Sequence, residues 1–462
     1  MNLGDIQLLL TALFSVIALV ALIVSKPKLH PLLALLIVSI GAGIACGMPL
    51  NKVIQAVSGG AGKTLGAVGL VVALGAMLGK ILADSGVTDT VANAILRRAS
   101  RKALPWAMTG VAFIIGIPMF FEVGLVVLLP LVFGVARRLE AEQQGSGSAY
   151  VYVGVPVIAA LAAMHGMVPP HPGPLTAIAT LNTSVGATMI YGFIAAVPAM
   201  VLAGPVYGAF IAPRMTVRPD AALIAQYAPD TANPNASSKT STPGLGLGVS
   251  AALAPALLML LHAVGEMLLS KGSALLSFTS FVGNPIMAML LGVIFAILTL
   301  SPGRPEAVRK ALSESIKPIA NVLLIIAGGG AFQQVLTDAR VGDAIVQLSH
   351  QLALSPLLLG WLISMLLSVS TGSATVGIVG AAGLLAPLAA SGTGVNQPLL
   401  ALSIGCGSLF FNYANHAGFW LVKESFGMSM GEATKTISVV QSIVAVVGLV
   451  MVLLLNLLPP LV

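Results

Sequence analysis

The groups in this chain that could do chemistry are few, and they lie in apolar surroundings. Glu122, His171 and His416 each stand in a hydrophobic stretch long enough to belong to a membrane span. A carboxylate isolated in a membrane is costly to keep charged, so Glu122 is a candidate for taking up and releasing a proton. A histidine just before a half-helix lies beside free amides and the positive end of the helix dipole, which suit an anion. These residue types predict a site that binds a small carboxylate and couples it to a proton.

Two matched interruptions hold the histidines, one in each half of the chain. They are His165-Gly-Met-Val-Pro-Pro-His171-Pro-Gly173 and Asn412-Tyr-Ala-Asn415-His416-Ala-Gly418. Prolines, glycines and side-chain amides in mid-span free backbone groups that hydrocarbon cannot solvate, so such breaks persist only where they line a cavity or a ligand site. A pair of breaks in corresponding positions predicts the substrate site of a carrier, with Asn412 and Asn415 as further ligands.

Two other segments, 105–137 and 354–391, are too long for one span and too interrupted for two. The first is interrupted at Gly116–Gly124 and the second at Ser368–Thr375. We interpret both as re-entrant helical hairpins whose tips lie at mid-membrane, with Glu122 at the first tip. The hydroxyl groups predicted to line the site from the second tip belong to Ser370, Thr371, Ser373 and Thr375.

Composition places these segments in a membrane. The chain has 57% hydrophobic residues, 8% charged residues and a mean hydropathy of +1.00, which a soluble protein of 462 residues could not cover with polar surface. We predict an all-α, multi-span membrane protein. The net charge of +7 comes from short loops, so it does not indicate nucleic acid, and the two cysteines have no metal-ligand spacing. No metal or other cofactor is expected.

The chain divides into two halves, 1–212 and 246–462, which are joined by a polar linker at 213–245. A shift of 254 residues aligns Asp84 with Asp338 and Lys63 with Lys317, and a shift of 245 aligns His171 with His416. If both hairpins return to their own side, loops on one side hold 17 of the 22 Lys and Arg residues. The positive-inside rule then predicts a cytoplasmic linker, two outward termini and two halves of inverted topology.

Several alternatives remain open at the level of single residues. Glu122 could only fix the hairpin tip, the histidines could be packing or capping groups, and the Ser/Thr cluster could serve close helix packing or sodium binding. Neutral donors without a fixed cation favour a small hydroxylated carboxylate over a phosphate. A hydrolase is disfavoured because the chain has no His-Glu-x-x-His motif. A passive channel has no need of inverted hairpins.

Motifs along nearly the whole chain resemble the gluconate permease (gluconate:proton symporter) family. They comprise Gly47-Met-Pro-Leu50, Gly75-Ala-Met-Leu-Gly-Lys80, Phe120-Phe-Glu-Val-Gly124, Leu128-Leu-Pro-Leu-Val-Phe133, Tyr152-Val-Gly-Val-Pro156, His165-Gly166, Pro169-Pro-His-Pro-Gly-Pro174, Thr176-Ala-Ile-Ala-Thr180, Gly372-Ser-Ala-Thr-Val376, Gly418-Phe-Trp420 and Lys423-Glu424. The resemblance implies that Phe121, His165 and Gly173 belong to the site with the residues above. It also implies proton-coupled uptake of gluconate or a related sugar acid or hydroxy acid across the inner membrane of a bacterium.

One departure from the family pattern bears on the substrate. Family members tend to have Asn-Asp before the Gly-Phe-Trp motif, whereas this chain has Asn415-His416-Ala417. The missing acid leaves open a sodium-coupled symporter of another small carboxylate or an amino acid. A looser resemblance reaches a wider ion-transporter fold with two hairpins, which often forms a homodimer working by an elevator motion.

Overall fold

The computed structural model describes residues 3–24, 26, 28–87, 90–91, 94, 99–141, 147–219, 243–270, 272–341, 344, 355–390, 394–413 and 416–461. Its regular elements are helices. Those of the first half are α1 (Leu3–Val24), α2 (Pro31–Ala45), α3 (Leu50–Asp84), α4 (Leu104–Gly116), α5 (Phe121–Ala141), α6 (Ala149–Met167), α7 (Pro172–Leu181) and α8 (Val185–Arg214).

The second half is also helical. Its helices are α9 (Leu245–Leu268), α10 (Ala274–Gly283), α11 (Pro285–Leu300), α12 (Pro305–Ile316), α13 (Ala320–Asp338), α14 (Pro356–Thr371), α15 (Ala374–Ala390), α16 (Gln397–Gly407), α17 (Ala417–Phe426) and α18 (Met430–Leu455). In each half a pair of helices with a short break (α4–α5 and α14–α15) precedes a broken helix (α6–α7 and α16–α17). The inverted orientation of the halves and the re-entrant path of the pairs stay predictions.

The protein has several helices long and apolar enough to cross a membrane, as the composition predicted. Six of the described segments meet that test alone, and the α10–α11 pair, bent by 68°, makes a seventh. Their environments differ. The apolar stretch of α1 is only 19% buried, whereas that of Ala149–Leu181 is 89% buried. The span that carries His165 and His171 is therefore the centre of the molecule, and α1 lies at its edge.

Two helical segments were not predicted from hydropathy: the first part of α3 and the whole of α12. Hydropathy alone predicts a span at about 64–84, but α3 begins at Leu50, and α12 lies in a stretch where hydropathy predicts no span. Both added segments are amphipathic, so their mean hydropathy is low. Leu50–Thr64 buries Val53, Ala56 and Gly60 against α13, and α12 packs on the second part of α3. Tertiary packing makes these segments helical where average hydropathy indicates loops.

Glycines allow the two broken helices to cross closely beside their breaks. A Cβ at Gly405 of α16 would overlap the carbonyl oxygen of Gly166 in α6. A Cβ at Gly166 would lie 2.6 Å from Leu409 and 3.0 Å from the Gly405 carbonyl oxygen. Small residues at a crossing let helix backbones approach within a membrane, where packing is a main source of association. This crossing brings the two predicted breaks together.

Candidate functional site

The first hairpin tip brings a carboxylate to the centre of the molecule. Helix α4 ends at Gly116, and α5 begins at Phe121 after a four-residue break. Phe121 is 2% exposed and Glu122 is half-buried in the first turn of α5. A carboxylate in a first helical turn is stabilised by the nearby backbone amides, so the local sequence holds Glu122 at a defined position.

His171 forms a specific contact between the first hairpin and the first broken helix. It occupies the N-cap position of α7, is 3% exposed and donates its Nε2–H to the carbonyl oxygen of Gly116 at 3.0 Å. This carbonyl lies at the end of α4 and also accepts a hydrogen bond from the Met119 amide at 3.1 Å. His171 therefore acts as a clamp between α4 and α7, which is the structural alternative considered for it above.

Removal of this clamp should lower stability. His171→Ala removes one of the two donors to the Gly116 carbonyl, which keeps the Met119 amide, and a typical hydrogen bond contributes about 0.5–1.5 kcal/mol to stability. We expect a lower thermal unfolding midpoint of the purified protein in detergent. Lys52→Ala serves as the control because Lys52 is exposed on α3 and alanine is a good helix former. An unchanged midpoint together with a large loss of substrate affinity would instead make His171 a direct ligand.

His165 lies close to His171 but has a free nitrogen. It is in the last turn of α6, and the two imidazole rings pack edge to face with centroids 5.9 Å apart. Its Nδ1 is buried and has no hydrogen-bond partner among the described residues. Buried polar atoms in proteins normally have partners, so this nitrogen is available to a ligand or a proton.

His416 caps the half-helix of the second break. It is 8% exposed, and its Nδ1 accepts a hydrogen bond from the Gly418 amide at 3.1 Å, so Nδ1 carries no proton in this arrangement. A Cβ on Gly418 would lie 3.1 Å from the Phe121 ring. The first hairpin tip of one half thus touches the broken helix of the other half.

The carboxylate and two of the histidines form one electrostatic cluster. Glu122 interacts through space with both His165 and His416, and these two imidazoles also interact with each other. The three groups come from α5, α6 and the start of α17, so the cluster joins the tip of the first hairpin to both breaks. Each of these groups can bind a proton, and a protonated imidazole among them can hold an anion.

Asn412 belongs to a second, neutral polar cluster that packs behind the second break. Its Oδ1 accepts a hydrogen bond from Ser368 Oγ at 3.2 Å, and its backbone carbonyl accepts one from Ser438 Oγ at 2.6 Å. Ser368 Oγ also lies 2.6 Å from the carbonyl oxygen of Ser408. The Nδ2 group of Asn412 is buried without an acceptor among the described residues, which leaves its two N–H donors for a ligand.

The second hairpin contributes less to the described contacts. Ser373 uses its hydroxyl to cap α15, accepting from the Val376 amide at 3.3 Å, and Thr375 is half-buried in the next turn. The side chains of Ser370 and Thr371, and the whole of Asn415, lie outside the described residues. No described contact joins Ser373 or Thr375 to the histidine cluster.

Gly173 has a packing role. A Cβ there would overlap Cδ1 of Ile378 in α15, so glycine lets α7 lie directly against the second arm of the α14–α15 pair.

Whole-length comparison places the chain among known transporters. The model for the GntP family permeases matches residues 7–458. The chain belongs to this family. It is 40% identical over 458 residues to a gluconate permease of Pseudomonas aeruginosa, covering 98% of each chain. It is 41% identical over 444 residues to the high-affinity gluconate transporter of Escherichia coli, covering 95% of this chain and 97% of the relative.

A solved structure supports the fold of the permease. The YdaH transporter of Alcanivorax borkumensis superposes with a TM-score of 0.65 at 15% identity, covering 94% of this chain and all of that chain. This identity is low enough that the likeness concerns the fold alone. The protein is thus a multi-pass helical membrane protein of a permease family, and its task is transport, as distinct from catalysis.

Three polar groups of the permease's second cluster were not predicted as functional residues. Ser368, Ser408 and Ser438 supply the hydrogen bonds around Asn412. Ser368 lies within the tip sequence singled out above, so proximity to a break was a usable signal for it. Ser438 carries no such signal because it lies in an ordinary span, α18.

Proposed function

We propose that the protein is a secondary active transporter that imports gluconate, or a related sugar acid or hydroxy acid, by proton symport. The whole-length similarity to relatives named for gluconate transport carries the choice of substrate. The cluster of Glu122, His165 and His416 supports proton coupling, because it unites titratable groups at the meeting point of both breaks.

Each part of a sugar acid has a matching group in this proposal. The carboxylate lies near the start of α17, where backbone amides and the His416 imidazole favour an anion. The hydroxyl groups bond to the free Nδ2 of Asn412, to Thr375 and to the tip residues of the second hairpin. The proton is carried by Glu122, with the free Nδ1 of His165 as a second acceptor nearby.

The architecture we propose for transport has two inverted halves, 1–212 and 246–462, around a cytoplasmic linker at 213–245. The hairpins α4–α5 and α14–α15 then enter from opposite faces of the bacterial inner membrane, and both termini are periplasmic. A homodimer is expected from the wider ion-transporter resemblance. A cysteine introduced in the linker tests the orientation. A membrane-impermeant thiol reagent should not label it in intact cells and should label it in inverted membrane vesicles.

Purified protein in liposomes tests the substrate and the coupling ion together. We expect accumulation of radiolabelled gluconate when the pH is lower outside the liposomes, with no need of a sodium gradient. Glucitol, which differs by lacking the carboxylate, should compete at least tenfold more weakly than gluconate. A charge-assisted hydrogen bond contributes about 1.5–3 kcal/mol, and about 1.4 kcal/mol corresponds to a factor of ten.

Three outcomes would contradict the proposal. Accumulation driven only by sodium would replace the proton as the coupling ion. Equal competition by glucitol would remove the anion site, and stronger competition by serine than by gluconate would favour an amino-acid transporter. Liposomes without a gradient provide the baseline for passive flux.

A further inference from the structure

A groove between α11 and α12 lies apart from the central site. It has a volume of about 520 Å³ and runs from the last turns of α11, through the loop that follows, to one face of α12. Its apolar wall includes Ile297, Leu298 and Leu312. Leu298 is 68% exposed, so this wall is open to whatever surrounds the helix. The α10–α11 pair is long and apolar enough to enter a membrane, and α11 ends at the polar loop 301–304, so we place the groove at the membrane surface.

The polar rim of the groove is basic. Arg304 and Arg309 line it, and none of the residues lining it is acidic. Arg304 forms no ion pair within the described part of the chain. Arg309 is paired with Glu306 at 2.9 Å, but both side chains are about four-fifths exposed, so solvent screens this pair and a stronger anion can displace it.

We propose that this groove is a binding site for an anionic phospholipid. The acyl chains lie along the apolar wall of α11, and the phosphate is held by the guanidinium groups of Arg304 and Arg309. Guanidinium is the side-chain group best suited to bind phosphate with two hydrogen bonds. The combination of an apolar wall with a basic rim, at the end of an apolar helix, matches the acyl chains and the charge of an anionic lipid.

The position of α12 links the proposed lipid site to the broken helix α6–α7. This helix is amphipathic, buries Ala311 and Ser315, and contacts α3 through Glu314, whose carboxylate lies 3.8 Å from Lys80 Nζ. It continues through Lys317–Ile319 into α13, where Gln333 donates to the Thr180 carbonyl of α7 at 3.2 Å. A lipid bound against α12 therefore stabilises an element that leads directly to the broken helix.

Thermal unfolding in detergent tests the site. We expect phosphatidylglycerol to raise the unfolding midpoint of the wild type more than phosphatidylcholine with the same acyl chains. The double substitution Arg304→Gln/Arg309→Gln should weaken the apparent affinity for phosphatidylglycerol roughly 25-fold, because each basic residue near a membrane surface contributes roughly fivefold. Native mass spectrometry should count at least one fewer retained phosphatidylglycerol on that variant.

Matched variants separate this site from general charge. Arg101→Gln/Lys102→Gln removes the same charge from another exposed segment and should leave the affinity unchanged. Arg304→Lys/Arg309→Lys keeps the charge and should retain most of the binding, so a folding defect of the Gln variant does not prevent the test. Three results would overturn the proposal. The two lipids could raise the unfolding midpoint equally, or the two neutralised variants could lose the same affinity for phosphatidylglycerol. Soluble glycerol phosphate could also bind as tightly as phosphatidylglycerol.

Discussion

Gly405→Ala should abolish transport by separating the two broken helices. The added Cβ overlaps the backbone carbonyl of Gly166, and a backbone atom cannot rotate away as a side chain can. Overpacking of a core costs about 1–3 kcal/mol even where side chains adjust, so this substitution should lie at or above that range. We expect uptake to fall at least tenfold and the thermal unfolding midpoint to drop.

A glycine in an open position provides the control. Gly134 of α5 has no atom within 4 Å of a built Cβ, and alanine is a better helix former than glycine. Gly134→Ala should therefore keep wild-type uptake and stability. Normal transport by Gly405→Ala would show that α6 and α16 do not need this close approach.

Glu122→Gln should abolish uphill accumulation while substrate exchange continues. A neutral amide has the shape of the protonated acid, but it cannot bind and release a proton. We expect the variant to equilibrate gluconate across the liposome membrane without concentrating it, and to exchange labelled for unlabelled gluconate. The measurement compares gradient-driven uptake with counterflow in the same preparation.

The matched control for this variant is Glu424→Gln. Glu424 is exposed and pairs with Lys423 at the surface, where such a pair contributes little. It should accumulate gluconate like the wild type. Normal accumulation by Glu122→Gln would exclude Glu122 as the coupling group, and the free Nδ1 of His165 would become the leading candidate.

Local patterns in the sequence predicted where the helices beside the candidate site begin and end. Helix α6 ends and α7 begins at the break that holds His171, α17 begins just after His416, and Phe121, the neighbour of Glu122, lies against Gly418 of the second break. These features depend on proline, glycine and polar residues within short stretches of chain, where backbone geometry is decided locally.

Contacts between distant segments could not be predicted in the same way. The partner of His171 is a backbone carbonyl 55 residues upstream, and Ser368 meets Asn412 across 44 residues. Hydropathy assigns residues to spans but does not set the relative rotation of the spans. The choice between ligand and structural clamp for His171 depended on that rotation. Hydropathy did not predict the first part of α3 or α12, because these amphipathic segments are helical through packing on α13 and on the second part of α3.

The burial of α7 has a consequence for biosynthesis. This helix packs mainly on α15 and α16, which the ribosome makes about 200 residues later. The first half therefore enters the bilayer before the helices that pack on α7 have been made. Lipid or an insertion factor must cover the surface of α7 until then. Neither half can mature alone, so a gene split in the linker should yield a stable protein only when both fragments are made in the same cell.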